Sequence, residues 1–449
     1  MNDLIFQNNF SRREFIRRSL YAGIGISGIS VLPILSGCAV NPVTGENQFM
    51  MVSKEQEIQV DQSQSPHQFS ADYGVCNDSN INNYISRVGK KLASNTHRLD
   101  MPYSFKCVNA TYINAYAFPG GSIAVTRGIL LKLDNEAELA ALLGHELGHV
   151  NARHSAQQMS KGSLTSLLVG GLSMAVGTKS ESYGKIAQQL GMLGQGMLLS
   201  YYSRDNEREA DALGNEYMVK AGYSSKGFVG LMHMLNSMHE QKASATSILF
   251  STHPMSSERY DTAVKMNNSK YQYSINYPLN RDKYMDNIAS LRSIEPAIKL
   301  MQEGDDHMGK KEYLKAENSY NNAIKKASND YTAHVIMAKC QLLQEKPLEA
   351  LKYSEKASVL NKSEAQAYHL SGIANIKLKH FNQAYAQFEN YDRYLPGNPH
   401  IIFYKGYSQE GMDQRDNAAN NYVKYLEKVQ EGDNAQHAYN SLKKWGYIK

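Results

Sequence analysis

The clearest repeat of apolar positions lies near residue 140, where Leu139, Leu142, Leu143 and Leu147 recur at helical spacing. Just before them, Asn135-Glu136-Ala137-Glu138 offers a capping box, which satisfies the free N–H groups of a first turn. Together they predict an amphipathic helix that starts near residue 136. Upstream, Ser122-Ile123-Ala124-Val125-Thr126 alternates with period two after the turn signal Pro119-Gly120-Gly121, so a half-buried strand should lead into that helix. The strand is either an edge that an extended peptide can join or a plain hairpin strand.

From about residue 297 a longer period takes over. Ala316, Ala350, Ala384 and Ala418 recur every 34 residues, and twelve residues before each stands a small residue, Gly304, Ala338, Gly372 or Gly406. That is the phase of tetratricopeptide repeats, each a pair of helices. The small residues let the paired helices approach, and Tyr320, Phe388 and Tyr422, four positions after the alanines, are expected to fill the gap between successive repeats. Ser354 breaks the pattern, with Tyr353 as the candidate replacement. Asn434 to Gly446 reads as a terminal helix with Trp445 as its apolar cap.

The helix near residue 140 carries the chemistry. In His145-Glu146-Leu147-Gly148-His149 the histidines stand four apart, on one helix face, within reach of one metal ion, and the spacing suits zinc. Glu146 projects about a quarter-turn away, where it can take a proton from water without joining the ligands. A hydrolytic zinc site takes a third side chain from elsewhere in the fold. Glu207 and Asp211 are again four apart on one predicted helix face, which suits one carboxylate for the metal and the other for the free ring nitrogen of a ligand histidine. Glu209 points away from that face, toward solvent. His154, five residues beyond His149, is off the ligand face and is read as helping to close the helix. His253 precedes Pro254 and is expected in a loop, free to reach the metal, a transition-state oxygen or solvent.

His-Glu-Leu-Gly-His followed by Ser203-Arg204-x-x-Glu207-x-x-Ala210-Asp211-x-x-Gly214 resembles the zinc metallopeptidase family that includes HtpX and the CaaX prenyl proteases, most of all its soluble BepA-like branch. The segments Asn114 to Gly121 and Ser251-Thr252-His253-Pro254, with Arg259 following, match as well. The resemblance covers most of residues 50 to 265. It implies His145, His149 and Glu207 as zinc ligands, Glu146 as general base, Asp211 as the carboxylate behind a ligand histidine, and a catalytic or gating role for His253.

The first residues read as an address. Ser11-Arg12-Arg13-Glu14-Phe15-Ile16-Arg17 resembles a twin-arginine export signal, followed by an apolar, Gly- and Ser-rich stretch from Leu20 to Gly37. Leu35-Ser36-Gly37-Cys38 resembles a lipobox, which implies cleavage before Cys38 and lipid on its sulfur, holding the protein at a membrane surface. An uncleaved anchor is the alternative; Pro33, the glycines and the lipobox argue against it. Ala39 after the cysteine points to an outer membrane. Leu164 to Gly177, fourteen residues broken by Ser166, Gly170, Gly171 and Ser173, is too short to span. It reads as a buried segment or, with Gly191, Gly194 and Gly196, as part of a movable lid.

Apart from Cys38, three cysteines remain, so at most one internal disulfide is possible; Cys76 and Cys107 either pair or stay as free thiols. The formal net charge of +5 is mild and its basic residues are dispersed, so nothing in the chain points to nucleic acid.

The expected architecture is a signal peptide at 1–37, an α+β zincin-type metallopeptidase domain at 38–270, a connecting segment at 271–296, and an all-α tetratricopeptide-repeat solenoid with its terminal helix at 297–449. The expected function is that of a tethered, periplasm-facing zinc endopeptidase acting on envelope or outer-membrane proteins in quality control or assembly. Its expected partners are protein or peptide substrates and outer-membrane assembly machinery, the latter through the repeats. The alternative is a chaperone or assembly scaffold acting mainly through the repeats.

Overall fold

The computed structural model describes residues 38–160, 202–241 and 244–448. The expected signal peptide, the 164–177 stretch and the three lid glycines lie outside these residues. The chain divides into two compact units, one of Leu35–Ala333 and one that includes His334–Lys449. Among the described residues, no helix is long and apolar enough to cross a membrane.

The first unit opens with a short antiparallel pair, β1 (Cys38–Val40) and β2 (Asn47–Phe49). Two helices follow, α1 (Lys54–Ala71) and α2 (Ser79–Ala93). The latter buries Ile81, Tyr84, Ile85, Val88 and Leu92 on one face. A three-stranded sheet comes next, made of β3 (Ser104–Val108), β4 (Ala115–Ala117) and β5 (Ser122–Thr126), in the order β3-β5-β4. Here β3 runs parallel to β5, and β4 forms an antiparallel hairpin with it. The strand 122–126 is therefore central, and it cannot be the edge that a peptide joins: both of its backbone faces are already paired. On the side toward the hairpin, the outer strand is β4.

A short helix, α3 (Arg127–Leu130), leads to α4 (Glu136–Asn151). Asn135 caps α4 by accepting from the Glu138 N–H at 3.0 Å, but the Glu138 carboxylate reaches the Asp134 N–H at 2.7 Å instead of closing the box on Asn135. All sixteen residues of α4 are buried, so the helix has no solvent face and is not amphipathic in its surroundings. It is enclosed by α2, the sheet, and the helices α5 (Arg204–Lys220) and α6 (Lys226–Gln241). Two more helices, α7 (Ser247–Thr252) and α8 (Ser257–Asn268), complete this region.

The connecting segment is ordered. Its helix α9 (Arg281–Asn287) lies on the start of α4, and α10 (Ala289–Ser293) follows. The Tyr284 hydroxyl donates to Leu130 O at 2.6 Å, the Ala137 N–H to Leu279 O at 3.2 Å, and Lys283 pairs with Glu136 at 2.8 Å. The first repeat, α11 (Glu295–Gly309) and α12 (Tyr313–Lys326), belongs to the same compact unit. Gln302 donates to Thr111 O at 2.6 Å, and Arg127 forms a buried ion pair with Asp330 at 2.5 Å.

The division between units falls within α13 (Tyr331–Leu343). Beyond it come α14 (Pro347–Leu360), α15 (Ala365–Lys377), α16 (Phe381–Tyr394), α17 (Pro399–Gly411), α18 (Arg415–Leu426) and α19 (Asp433–Lys444). The period is visible in the backbone: Lys311, Glu345, Lys379 and Asp413, at 34-residue spacing, all take positive φ in the turn between paired helices. The aromatics pack within a pair as well as between repeats, where Phe388 stacks on Tyr404 of the next pair at 5.2 Å. A Cβ on Gly372 would meet the Phe388 ring at 2.5 Å, and one on Gly406 the Tyr422 ring at 2.9 Å. Ser354 fits the same rule, because the small residue of its pair is Ala338 and less room remains; it is buried and hydrogen-bonds Ser371 at 2.8 Å. Tyr353 does not fill the place: it is only partly buried, and its ring lies 6.1 Å from that of His334. Trp445 stacks on Tyr422 at 6.1 Å, closing the last pair.

Candidate active site

The site forms where α4 and α5 cross. The helices touch through residues without bulk: a Cβ on Gly144 would lie 2.8 Å from Gly214 O, and one on Gly148 2.8 Å from Ala210 O. This backbone-to-backbone approach brings the α5 carboxylates to the α4 histidines. His145 Nε2 and His149 Nε2 are 3.0 Å apart, and Glu207 stands 3.6 Å from the first and 3.3 Å from the second through its two oxygens. His253, at the end of α7, joins them, with Nδ1 3.1 Å from Glu207 Oε1 and 3.4 Å from His145 Nε2. These four are the candidate metal-holding cluster among the described residues.

The cluster fits a metal ion. Two imidazole lone pairs and a carboxylate converge in a buried space, and tetrahedral bonds of about 2.0–2.1 Å place ligand atoms about 3.3 Å apart, which matches the separations of His145, His149 and Glu207. Glu146 Oε2 is buried without a hydrogen-bond partner, and Glu207 Oε2 forms a buried ion pair with Arg259 Nη1 at 2.7 Å while its other oxygen faces the histidines. Convergent lone pairs of this kind need a cation or a proton between them.

Both histidines of α4 are braced from behind. His145 Nδ1 lies 2.9 Å from Asp211 Oδ1, and Arg259 donates to both oxygens of Asp211 at 2.7 Å and to Pro254 O at 3.0 Å. Burial works against the Asp211 charge, but Arg259 and the His145 bond outweigh it and hold its pKa below the usual range. His149 Nδ1 lies 2.9 Å from His154 Nδ1, whose Nε2 lies 3.2 Å from Glu209 Oε2. With His149 Nε2 kept free as an acceptor, Nδ1–H donates to His154, and His154 Nε2–H donates to Glu209. His154 therefore backs the ligand rather than closing the helix, and Glu209 is engaged rather than solvated. The reason is the backbone. The helix ends at Asn151, and Arg153 takes φ 61°, which turns the next residue back over His149.

Electrostatics follow from burial. Burial pushes the Glu146 pKa up against the opposing charges of His253 and His145, and it pushes His149 well down. For Glu207, burial would raise the pKa, but His253 and His145 hold it well below the usual range. His253 is the converse: burial would lower it, and the Glu207 charge raises it. Tyr202 stacks on His149 at 3.8 Å and donates its backbone N–H to Thr252 O at 3.3 Å, at the end of α7 next to His253. Neither Tyr202 nor Arg259 had a role in the sequence reading. A pocket lined by Leu142, Leu231, Met232, Leu235, Leu249 and Met255 opens beside Glu146 and His253. Cys38 begins β1; its side chain lies outside the described part of the structure.

A buried two-histidine, one-glutamate cluster on crossed helices, with a free carboxylate beside it, defines a metallopeptidase-type domain; helix-pair repeats follow it. Residues 79–267 match the model of peptidase family M48. The beta-barrel assembly-enhancing protease of Escherichia coli K12 is 27% identical over 190 residues, 41% of this chain and 38% of that protein. Metalloprotease YcaL of the same organism is 31% identical over 175 residues, 39% of this chain and 65% of its own length. The chain thus spans about two fifths of the assembly-enhancing relatives it matches. Among solved structures, the tetratricopeptide-repeat protein YrrB is 16% identical with a TM-score of 0.31, covering 46% of this chain and 97% of that one.

Proposed function

We propose that this protein is a zinc-dependent endopeptidase of the cell envelope that cleaves envelope or outer-membrane proteins during assembly or quality control. The observation that carries the reading is the convergence of His145, His149 and Glu207 at zinc-ligand separations, with Glu146 buried beside them and its Oε2 without a hydrogen-bond partner. A zinc ion held by those three side chains would supply Lewis acidity to a peptide carbonyl and to water. Glu146, its pKa raised by burial, accepts the proton of the attacking water and returns it to the leaving amine. Asp211 and the His154–Glu209 pair hold the ligand rings in the tautomer that leaves Nε2 free. The apolar pocket beside Glu146 suits a large aliphatic substrate side chain.

The similarity to beta-barrel assembly-enhancing proteases supports an envelope setting. The lipobox-like Leu35-Ser36-Gly37-Cys38 supports a lipid tether, and the repeats suit recruitment of clients or of outer-membrane assembly machinery. Glu146→Gln tests the reading. It should bind zinc with wild-type stoichiometry and lose cleavage of an unfolded outer-membrane protein; wild-type rates from the zinc-loaded variant would refute it.

A second reading, a scaffold that acts mainly through its repeats, is favoured by one observation. His253 Nδ1 stands within 3.4 Å of His145 and 3.1 Å of Glu207, so it takes up the side of the cluster that water needs. If Glu146→Gln restores envelope assembly to a strain lacking the protein as fully as wild type does, the scaffold reading holds.

A further inference from the structure

Away from the site, two thiols face each other in the first unit. Val75 and Val108 form an antiparallel bridge, so Cys76 stands opposite Cys107 across it, and the Cys76 N–H donates to Cys107 O at 2.8 Å. Directly opposed residues of an antiparallel pair have Cα atoms about 4.5–5.5 Å apart, inside the range of about 4.4–6.8 Å that a disulfide spans. Opposed residues of an antiparallel pair send their side chains to the same face, so the two thiols are neighbours; the Cys107 thiol donates to Val108 O at 3.8 Å. Both are free thiols; Cys107 is buried and Cys76 partly exposed.

A second contact holds the pair in register. Asn82, on the first turn of α2, donates through Nδ2 to Cys76 O at 2.6 Å and accepts through Oδ1 from the Cys107 N–H at 3.0 Å. One side chain thus pins both cysteine backbones, so bond formation needs side-chain rotation and no strand movement. The neighbouring Cys107 thiol and, to a smaller extent, the charge of Arg127 favour the thiolate of Cys76, whose pKa is drawn down to about 7.

We propose that Cys76 and Cys107 are an oxidisable pair that closes as an internal disulfide when the folded protein meets a disulfide oxidant, such as oxidised glutathione or an oxidised dithiol protein. The Cys76 thiolate attacks one sulfur of the oxidant and expels the other as a thiolate, giving a mixed disulfide. Cys107 then loses its proton and attacks the Cys76 sulfur, expelling the second thiolate. Two thiols lose two protons and two electrons, and the oxidant gains them as two thiols. The new bond closes a loop that contains all of α2, and it ties that helix to β3 at the base of the sheet. Cross-linking a loop of this length restricts the unfolded chain, so the oxidised unit should melt higher.

The test is made on the full chain, reduced and then treated with oxidised glutathione under native conditions, quenched with N-ethylmaleimide in denaturant, digested and weighed. The expected result is a Cys76 peptide joined to a Cys107 peptide, with Cys340 alkylated and Tm raised by several degrees, a rise that dithiothreitol reverses. Cys76→Ser should show no oxidant-dependent shift. Alkylation of both thiols, glutathione retained on Cys76, a bond to Cys340 or between chains, or an unchanged Tm on cross-linking would each overturn the proposal. The wild-type comparison stands even if the variant does not fold.

Discussion

Gly148→Ala separates the local from the tertiary role of the site helix. In an isolated helix interior the change stabilises by about 1 kcal/mol, because alanine loses less conformational freedom than glycine. Here the added Cβ would lie 2.8 Å from Ala210 O and 2.9 Å from Ala210 Cα, both backbone atoms that no rotamer change can move. Ordinary carbon contacts begin near 3.5 Å, so α5 must withdraw by about 0.6 Å. Overpacking of this kind costs about 1–3 kcal/mol, which outweighs the propensity gain and leaves a net loss of roughly 1 kcal/mol. Glu207 precedes Ala210 by less than one turn and moves with it. Metal–ligand distances tolerate only about 0.2 Å, so zinc affinity should fall by about tenfold or more. Thermal melting and competition with a chromophoric zinc chelator read the two effects. Gly309→Ala is the control: it ends α11 in open space, and a Cβ there meets nothing within 4 Å, so it should leave Tm unchanged or slightly raised. A Gly148→Ala protein that melts no lower than wild type and holds zinc within twofold would refute the claim that this crossing sets the ligand distances.

Other consequences can be measured separately. Glu209→Gln removes the acceptor behind His154 and should weaken zinc binding about tenfold while leaving the fold intact, as read by zinc competition and circular dichroism; unchanged affinity would make the His154–Glu209 pair incidental. Stripping zinc with a chelator should lower Tm by about 10 °C at metal concentrations about a thousandfold above Kd, since ligand binding then contributes about 4 kcal/mol, and adding zinc should restore it. His369 is buried among Phe388, Tyr391 and Tyr404, and burial lowers its pKa to about 3. Below its unfolded value of about 6.5 the unfolded chain takes up a proton that the folded one refuses, so stability is full above that pH and falls as pH drops toward 3. His369→Leu should therefore flatten the loss of Tm between pH 6.5 and 4; an equally steep loss would exclude His369 as its source.

What could be read in the chain, and what could not, divides by the range of the interactions. The spacing of His145 and His149, and of Glu207 and Asp211, was legible because each pair is set by the rise and turn of one helix. The 34-residue period was legible for the same reason: each small residue meets a partner sixteen positions away within its own pair, as Gly372 meets Phe388. The position of β5 in the sheet was not, because strand order depends on β3, which pairs with it from eighteen residues upstream. The place of His154 was not legible either, because the helix ends at Asn151 and the left-handed Arg153 turns His154 back toward His149, which helical periodicity does not encode. The roles of Arg259 and Tyr202 were not legible, since each acts on a residue of another element, Asp211 or His149; Arg259 entered only as part of a matching segment. The glycines bridge the two cases. Gly148 and Gly214 look like weak points when helix propensity is counted residue by residue, yet they stand where α4 and α5 touch, and a Cβ on Gly214 would come within 2.6 Å of the His145 nitrogen. The residues that cost these helices stability are those that let Glu207 reach the histidines, so the spacing between the two motifs and the small residues inside them serve one geometric requirement.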